Sequence, residues 1–203
     1  GWGTVSQTVK GSETLYSQKL SYYDAEKGSG LYNGNISEWR IQQETNAAST
    51  YRYGYDGLGR LTTSSRYAGS GTSATNSWCE RGIDYDLNGN IVTLQRFGSN
   101  SITAEDNLLY GYSGNRLTAL TGSSRGAELN ASYSYDAGGN MLYDGRKGLG
   151  ISYNMLNLPA KVVEKTGATV ADGAVKAEYL YSADGIKQRV VDGTGSNGYL
   201  YLG

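Results

Sequence analysis

A short phrase recurs along this chain: an aromatic residue, one further residue, a tyrosine, then aspartate or asparagine, a glycine-containing turn and an aliphatic exit. Its clearest copy runs from Tyr53 to Leu61 and reads YGYDGLGRL. The second tyrosine of successive copies lies at positions 55, 85, 112, 135, 153, 181 and 201, so the spacing varies between 18 and 30 residues. An internal repeat constrains the architecture before any single residue is interpreted, and this one favours a scaffold built from one repeated unit.

The clearest copy predicts a tight β-hairpin turn. Its loop, residues 57–59, is typical of a type I turn closed by a glycine bulge, because Gly59 adopts the required left-handed conformation at little cost. Asp56 stands where its carboxylate can accept hydrogen bonds from the backbone amides that follow. We expect Asp56 and Arg60 to face each other as an exposed charge pair.

The strands beside this turn predict a register. Side chains alternate between the two faces of a strand, so Tyr53 and Tyr55 share one face. We expect Tyr55 to pair with Leu61 and Tyr53 to pair with Thr63. Each copy of the phrase then places tyrosine and an aliphatic residue together on the same face.

The remaining copies predict the same hairpin with small changes in the turn. Asparagine replaces aspartate in one copy, and serine follows the second tyrosine in two others, at Ser113 and Ser182. The candidate structural residues of the repeat are Tyr53, Tyr55, Asp56, Gly59, Arg60, Leu61, Tyr85, Asp86, Gly89, Tyr112, Tyr135, Asp136, Gly139, Tyr153, Asn154 and Tyr181.

These hairpins predict an all-β fold, an array of antiparallel β-hairpins that forms a curved or spiralling sheet. A lone hairpin is marginal in water, so the units are expected to join edge to edge. We predict a single array over residues 1–203, with degenerate repeats in 1–50 and clearer repeats in 51–203. The Asn33-Gly34 pair predicts one further hairpin, between strands at 31–32 and 35–36.

Composition excludes several classes of function. The 18 basic and 19 acidic residues give a net charge of −1 with no basic run, which argues against nucleic acid and anionic membranes as partners. No stretch is long and apolar enough to predict a membrane span. The chain contains no histidine and one cysteine, Cys79, which removes Ser-His-Asp and Cys-His catalysis and the usual zinc ligand sets. We expect no enzyme activity, no cofactor and no metal.

Two features leave alternatives open. The segment from Asp86 to Asn90 resembles the start of a calcium loop, but Phe97 stands where the final glutamate belongs, so a turn aspartate is the simpler interpretation. The tyrosines are interpreted as sheet-packing residues, and the alternative is an exposed aromatic platform for sugar rings. Trp39 and Trp78 share this ambiguity, which makes them candidate ligand contacts.

The phrase YGYDGLGRL and its looser copies resemble the YD repeat of the Rhs family of large exported bacterial proteins, which animal teneurins share. The resemblance covers the chain from about residue 20 onward. It implies a ribbon of hairpins that forms part of a shell, commonly enclosing a C-terminal toxin, and an extracellular or cell-surface location. The family's proline-rich closing motif is absent, since Pro159 is the only proline. We therefore interpret the chain as a fragment of a longer protein.

Three functions follow from these observations. The leading hypothesis is a non-catalytic structural segment of an exported Rhs/YD-repeat protein. Its partners are then the remainder of the same polypeptide and a C-terminal toxin, and exposed sheet edges would allow self-association. The alternative is a cell-surface adhesin or glycan-binding module that uses exposed tyrosine and tryptophan. A carboxylate-based hydrolase comes last, because no acidic pair stands out by position.

Overall fold

The structure is a computed structural model that describes residues 5–99, 102–124, 129–195 and 197–201. These residues form strands and turns and contain no α-helix. The strands within them are β1 (Val5–Lys10), β2 (Glu13–Ser21), β3 (Glu38–Gln43), β4 (Ser49–Tyr55), β5 (Leu61–Ala68), β6 (Thr75–Tyr85), β7 (Ile91–Phe97), β8 (Asp106–Ser113), β9 (Arg116–Ser124), β10 (Ala131–Tyr135), β11 (Met141–Asp144), β12 (Leu149–Tyr153), β13 (Pro159–Glu164), β14 (Val175–Tyr181), β15 (Lys187–Asp192) and β16 (Gly198–Leu200).

Each strand is hydrogen-bonded to the strands before and after it in sequence, so no connection crosses over another. The predicted all-β class and the array of antiparallel hairpins are confirmed. The chain divides into two compact units, residues 5–109 with 123 and 124, and residues 110–122 with those from 129 onward. A single array over 1–203, with degenerate repeats in 1–50, stays a prediction.

The predicted turn is confirmed in the clearest hairpin. The amide of Gly59 donates to the carbonyl of Asp56 at 3.0 Å, and the amide of Asp56 donates to the carbonyl of Arg60 at 2.9 Å. Gly59 has a φ of 76°, the left-handed conformation that closes a type I turn with a bulge. The same pair of backbone bonds forms the turns that begin at Asp86, Asp136, Asn154 and Ser182.

The predicted register is correct at one pair and wrong at the next. Tyr55 pairs with Leu61, as expected, but Tyr53 pairs with Ser64 and not with Thr63. A β-bulge inserts one extra residue, Thr62, opposite the step from Gly54 to Tyr55, and this shifts every later pair by one.

The bulge at the tyrosine recurs at the same place in all five hairpins with this turn, which begin at Asp56, Asp86, Asp136, Asn154 and Ser182. In each, the register shifts at the repeat tyrosine, which pairs with the first residue of the returning strand. The pairs are Tyr55 with Leu61, Tyr85 with Ile91, Tyr135 with Met141, Tyr153 with Pro159 and Tyr181 with Lys187. The bulge is therefore part of the repeated unit and increases its local twist.

The repeat tyrosines are half-buried, as expected for a sheet whose aromatic bodies are covered and whose hydroxyls reach polar groups. Fully buried apolar residues are few among the described positions, and most belong to the first unit, where they include Tyr67, Cys79, Ile83 and Leu94. In the second unit Tyr143 and Val163 are buried. With so thin a core, the hairpins depend on contacts with their neighbours.

The predicted hairpin at Asn33-Gly34 is wrong. Gly34 has a φ of 89° and the side chain of Asn33 accepts a hydrogen bond from the amide of Asn35 at 3.1 Å, so a turn is present, but no strand flanks it. The segment between β2 and β3 is instead tied to the sheet by Glu38, a buried carboxylate. It accepts hydrogen bonds from the amides of Glu26 and Lys27 at 2.7 and 2.5 Å.

Gly59→Val is expected to destabilise the first unit by about 1–2 kcal/mol, because a β-branched residue resists positive φ. Gly57→Val is the matched control, since a Cβ at Gly57 meets open space and its φ is not in the left-handed region. Urea unfolding of the two variants measures the difference. Equal midpoints for Gly59→Val and Gly57→Val contradict the turn assignment.

Candidate functional site

The aspartate that opens the turn organises the loop with both carboxylate oxygens. Asp56 Oδ1 accepts hydrogen bonds from the amides of Leu58 and Arg60, each at 2.9 Å. Its Oδ2 accepts one from Arg60 Nε at 2.7 Å, which is also the predicted ion pair. The backbone hydrogen bond from Arg60 lowers the pKa of Asp56 most, and the Arg60 side chain adds to the effect.

The equivalent aspartates repeat this arrangement with asparagine in place of arginine. Asp86 Oδ2 accepts from Asn90 Nδ2 at 2.9 Å, and Asp136 Oδ2 accepts from Asn140 Nδ2 at 2.8 Å. These side-chain hydrogen bonds are the main cause of the lowered pKa of both aspartates. The Asp86 carboxylate is therefore a turn acceptor, which agrees with the simpler interpretation of this segment.

Asparagine and serine replace the aspartate without loss of the turn. Asn154 Oδ1 accepts from the amides of Leu156 and Leu158 at 2.9 and 3.0 Å. Ser182 Oγ accepts from the amide of Ile186 at 3.1 Å. The turn therefore requires an acceptor at this position and not a charge.

In four copies of the repeat, the second tyrosine links its hairpin to the segment that precedes it. Tyr85 Oη donates to the backbone carbonyl of Leu61 at 2.7 Å, and Leu61 is the residue that follows the preceding turn. The same hydrogen bond recurs in both units. The full set is Tyr55 to Ile36 at 2.8 Å, Tyr85 to Leu61 at 2.7 Å, Tyr135 to Leu117 at 3.0 Å and Tyr153 to Met141 at 3.0 Å.

Burial keeps part of this set protonated. Desolvation raises the pKa of Tyr55 and of Tyr153, so these hydroxyls remain donors well above neutral pH. Desolvation also raises the pKa of Tyr53 to about 12. Tyr112 and Tyr181 are half-buried members of the repeat. Within the described residues, no tether of this kind is seen at Tyr181.

A second link joins one turn to the next. Arg60 Nη1 donates to the carbonyl of Asp86 at 3.3 Å, and its guanidinium lies 4.4 Å from the centre of the Tyr85 ring. In the second unit, Arg116 Nη1 donates to the carbonyl of Asp136 at 3.2 Å. In both units, an arginine that follows a turn therefore contacts the following hairpin.

From the sequence, Arg60 is predicted to pair only with Asp56 of its own turn. Arg116 and Asn140 are not among the candidate residues of the repeat. Asn140 Nδ2 donates both to Asp136 within its own turn and to Asn157 Oδ1 of the next, the latter at 3.2 Å. The signal was present in the sequence, because a polar side chain with several donors follows the left-handed residue in the clearest copies. Its second partner depends on the spacing between hairpins, which varies along the chain.

Trp39 and Trp78 line the same groove of the first unit, which has a volume of about 390 Å³. Trp39 is half-buried and stacks on Tyr51, with ring centres 5.6 Å apart. Trp78 is 57% exposed. Of the two predicted ligand contacts, only Trp78 therefore presents most of its ring to solvent.

The described residues contain no group of three or more histidine, cysteine, aspartate or glutamate side chains placed to hold a metal ion. They also contain no helix with the length and apolar character needed to cross a membrane.

Tyr85→Phe is expected to destabilise the first unit by about 0.5–1.5 kcal/mol, because it removes one hydrogen bond while keeping the ring. Tyr32→Phe is the control, since Tyr32 is 88% exposed and stacks only on Tyr23. The free energy of unfolding from urea titration tests the difference. A Tyr85→Phe variant as stable as the control would show that the tether contributes nothing.

The turn aspartates predict that stability falls in acid. Their folded pKa values lie below the ordinary 3.8, so the unfolded chain binds more protons in this range. Their contribution is present above about pH 4 and is lost as the pH falls through the lowered folded values. The variant with Asp56, Asp86 and Asp136 all changed to Asn keeps the acceptors, as Asn154 shows. Urea midpoints measured between about pH 6 and pH 2 should fall less steeply in this variant. Parallel curves would contradict the assignment.

No protein-family model and no curated protein matches the chain. The chain resembles a crystal structure of TcdB2-TccC3 without its hypervariable C-terminal region, with a TM-score of 0.54 and 11% sequence identity. This match covers 92% of the chain but only 11% of that protein. The Photorhabdus luminescens Tc holotoxin pore is similar over the same shares, with 15% identity and a TM-score of 0.49. The chain therefore shares the fold of a segment of TcdB2-TccC3, and this agrees with the resemblance carried by the YD motif.

Proposed function

We propose that this chain is a non-catalytic structural segment of an exported Rhs/YD-repeat protein and builds part of a β-shell around a C-terminal toxin. The observation that supports the proposal most is the tyrosine tether. Tyr85 in the first unit and Tyr135 in the second each bond to the hairpin that precedes them. A repeated contact of this kind makes a continuous wall from units that are marginal alone.

The repeat uses its reactive side chains for structure. Asp56, Asp86 and Asp136 accept hydrogen bonds inside their own turns, and the tyrosine hydroxyls of the set donate to backbone carbonyls. Each of these carboxylates is therefore already engaged as an acceptor within its own turn. This supports a scaffold over the carboxylate-based hydrolase.

The partners follow from the fold and from its exposed strands. The matched TcdB2-TccC3 protein is much longer than this chain, so the remainder of the polypeptide is the first proposed partner, with a toxin domain the second. Strands β1 and β16 are exposed along their described length and can pair with further strands or with another copy. Light scattering that finds a monomer at every concentration would count against pairing between copies. We also propose that the protein that contains this chain acts outside the cell.

A second candidate is a cell-surface glycan-binding module. The groove that contains Trp39 and Trp78 favours it, since two tryptophans distant in sequence meet there. This candidate does not compete with the structural role, because the tethers and the groove use different side-chain groups.

Limited proteolysis of the full gene product that contains this chain tests the structural role. We expect its C-terminal domain to resist digestion, and we expect the variant with Tyr85, Tyr135 and Tyr153 changed to Phe to release that domain to the protease. Tyr32→Phe, which alters an exposed ring outside the tethers, should leave protection unchanged. A C-terminal domain digested equally fast in all three proteins would contradict the proposal.

A further inference from the structure

One face of the first unit carries a groove with an aromatic lining and a polar rim. Its volume of about 390 Å³ lies within the range of roughly 300–1,000 Å³ seen for small-molecule sites. Strands β3 to β7 contribute its walls. The residues that matter for its chemistry are Trp39, Tyr51, Tyr53, Trp78, Glu80 and Arg96.

Trp78 occupies an unusual backbone conformation for its type. Its φ is 55°, within the left-handed region that non-glycine residues rarely adopt, although it lies inside strand β6. The pairing of β5 with β6 is irregular here, stepping from Ser64 with Glu80 to Arg66 with Thr75. The amide of Trp78 donates to the carbonyl of Gly98 at 2.8 Å and holds the distortion in place. Such a distortion re-aims a side chain, and strained positions of this kind cluster at ligand sites.

Trp39, which lines the groove, is held by contacts with its neighbours, in contrast to the exposed Trp78 ring. Trp39 stacks on Tyr51 with an angle of 27° between the ring planes. The indole nitrogen of Trp39 donates to Gln18 Oε1 at 3.1 Å, which fixes the ring orientation. A flat ligand can therefore contact an aromatic surface that is already in position, with Trp78 beside it.

The rim supplies hydrogen-bonding groups that are fixed but still face water. Arg96 Nε bonds Glu80 Oε1 at 3.2 Å, and Arg96 Nη1 bonds the buried carboxylate of Asp106 at 3.2 Å. The side chains of Glu80 and Arg96 remain 38% and 47% exposed. Because the rim charges are paired with each other, they favour a neutral polar ligand over a strongly charged one.

We propose that this groove binds a neutral carbohydrate chain, with one pyranose ring against Trp78 and its hydroxyls bonded to Glu80 and Arg96. A pyranose presents an apolar C–H face to an aromatic ring and hydroxyls at its edge, which matches an aromatic floor with a polar rim. The inference deepens the second candidate function and rests on it. It is independent of the tyrosine tethers.

The test uses Trp78→Gly. This variant removes the ring while glycine suits a φ of 55°, so its urea unfolding midpoint should equal or exceed that of the parent chain. Tyr32→Ala is the matched control, because it removes an exposed ring that lies outside the groove. Cellotetraose, chitotetraose, maltotetraose and lactose are titrated against each protein by isothermal titration calorimetry.

At least one of the four sugars should bind the parent chain and Tyr32→Ala equally and bind Trp78→Gly about tenfold more weakly or worse. Glu80→Gln should also weaken binding of that sugar, since it breaks the charge pair of the rim. No binding of any of the four sugars to the parent chain, or unchanged binding by Trp78→Gly, would overturn the proposal. Neither result bears on the proteolysis test, so the two accounts fail separately.

Discussion

The hydrogen bond from a repeat tyrosine to the carbonyl that follows the preceding turn holds this structure together. Each such bond contributes only about 0.5–1.5 kcal/mol net, but it recurs at Tyr55, Tyr85, Tyr135 and Tyr153. It joins the tyrosine to the preceding segment and satisfies the hydroxyl of a half-buried side chain. Because fully buried apolar residues are few among the described positions, these contacts replace much of what a deep core would supply.

The tether depends in turn on the geometry of the loop. An acceptor side chain opens the turn and a left-handed residue closes it, Gly59 at a φ of 76° or Asn157 at 58°. The recurring bulge then brings the tyrosine opposite the first residue of the returning strand, as Tyr55 lies opposite Leu61. Charge is dispensable at the first position, since Asn154 makes the same backbone bonds, and so the repeat tolerates drift in its sequence.

The turns and the strand pairs next to them were predictable from the sequence, but the contacts between hairpins were not. The turn at Gly59 and the Tyr55–Leu61 pair follow from propensity and spacing. The pairing of Tyr53 with Ser64 does not, because a bulge between ordinary strand residues leaves no clear sequence signal. The Asn33-Gly34 turn has no flanking strands, and Glu38 instead binds the amides of Glu26 and Lys27, a pairing that no local propensity indicates. The left-handed Trp78 likewise has no signal in its own residue type.

A wall made of tethered hairpins and a groove on one of its faces are compatible, since none of the tether tyrosines lines the groove. The proposed wall depends most on coupling between consecutive hairpins. Native-state hydrogen exchange, resolved by hairpin in Tyr85→Phe, measures that coupling directly. We expect faster exchange in the 53–61 hairpin as well as in the 83–91 hairpin that carries the substitution. Faster exchange confined to the 83–91 hairpin would contradict the account.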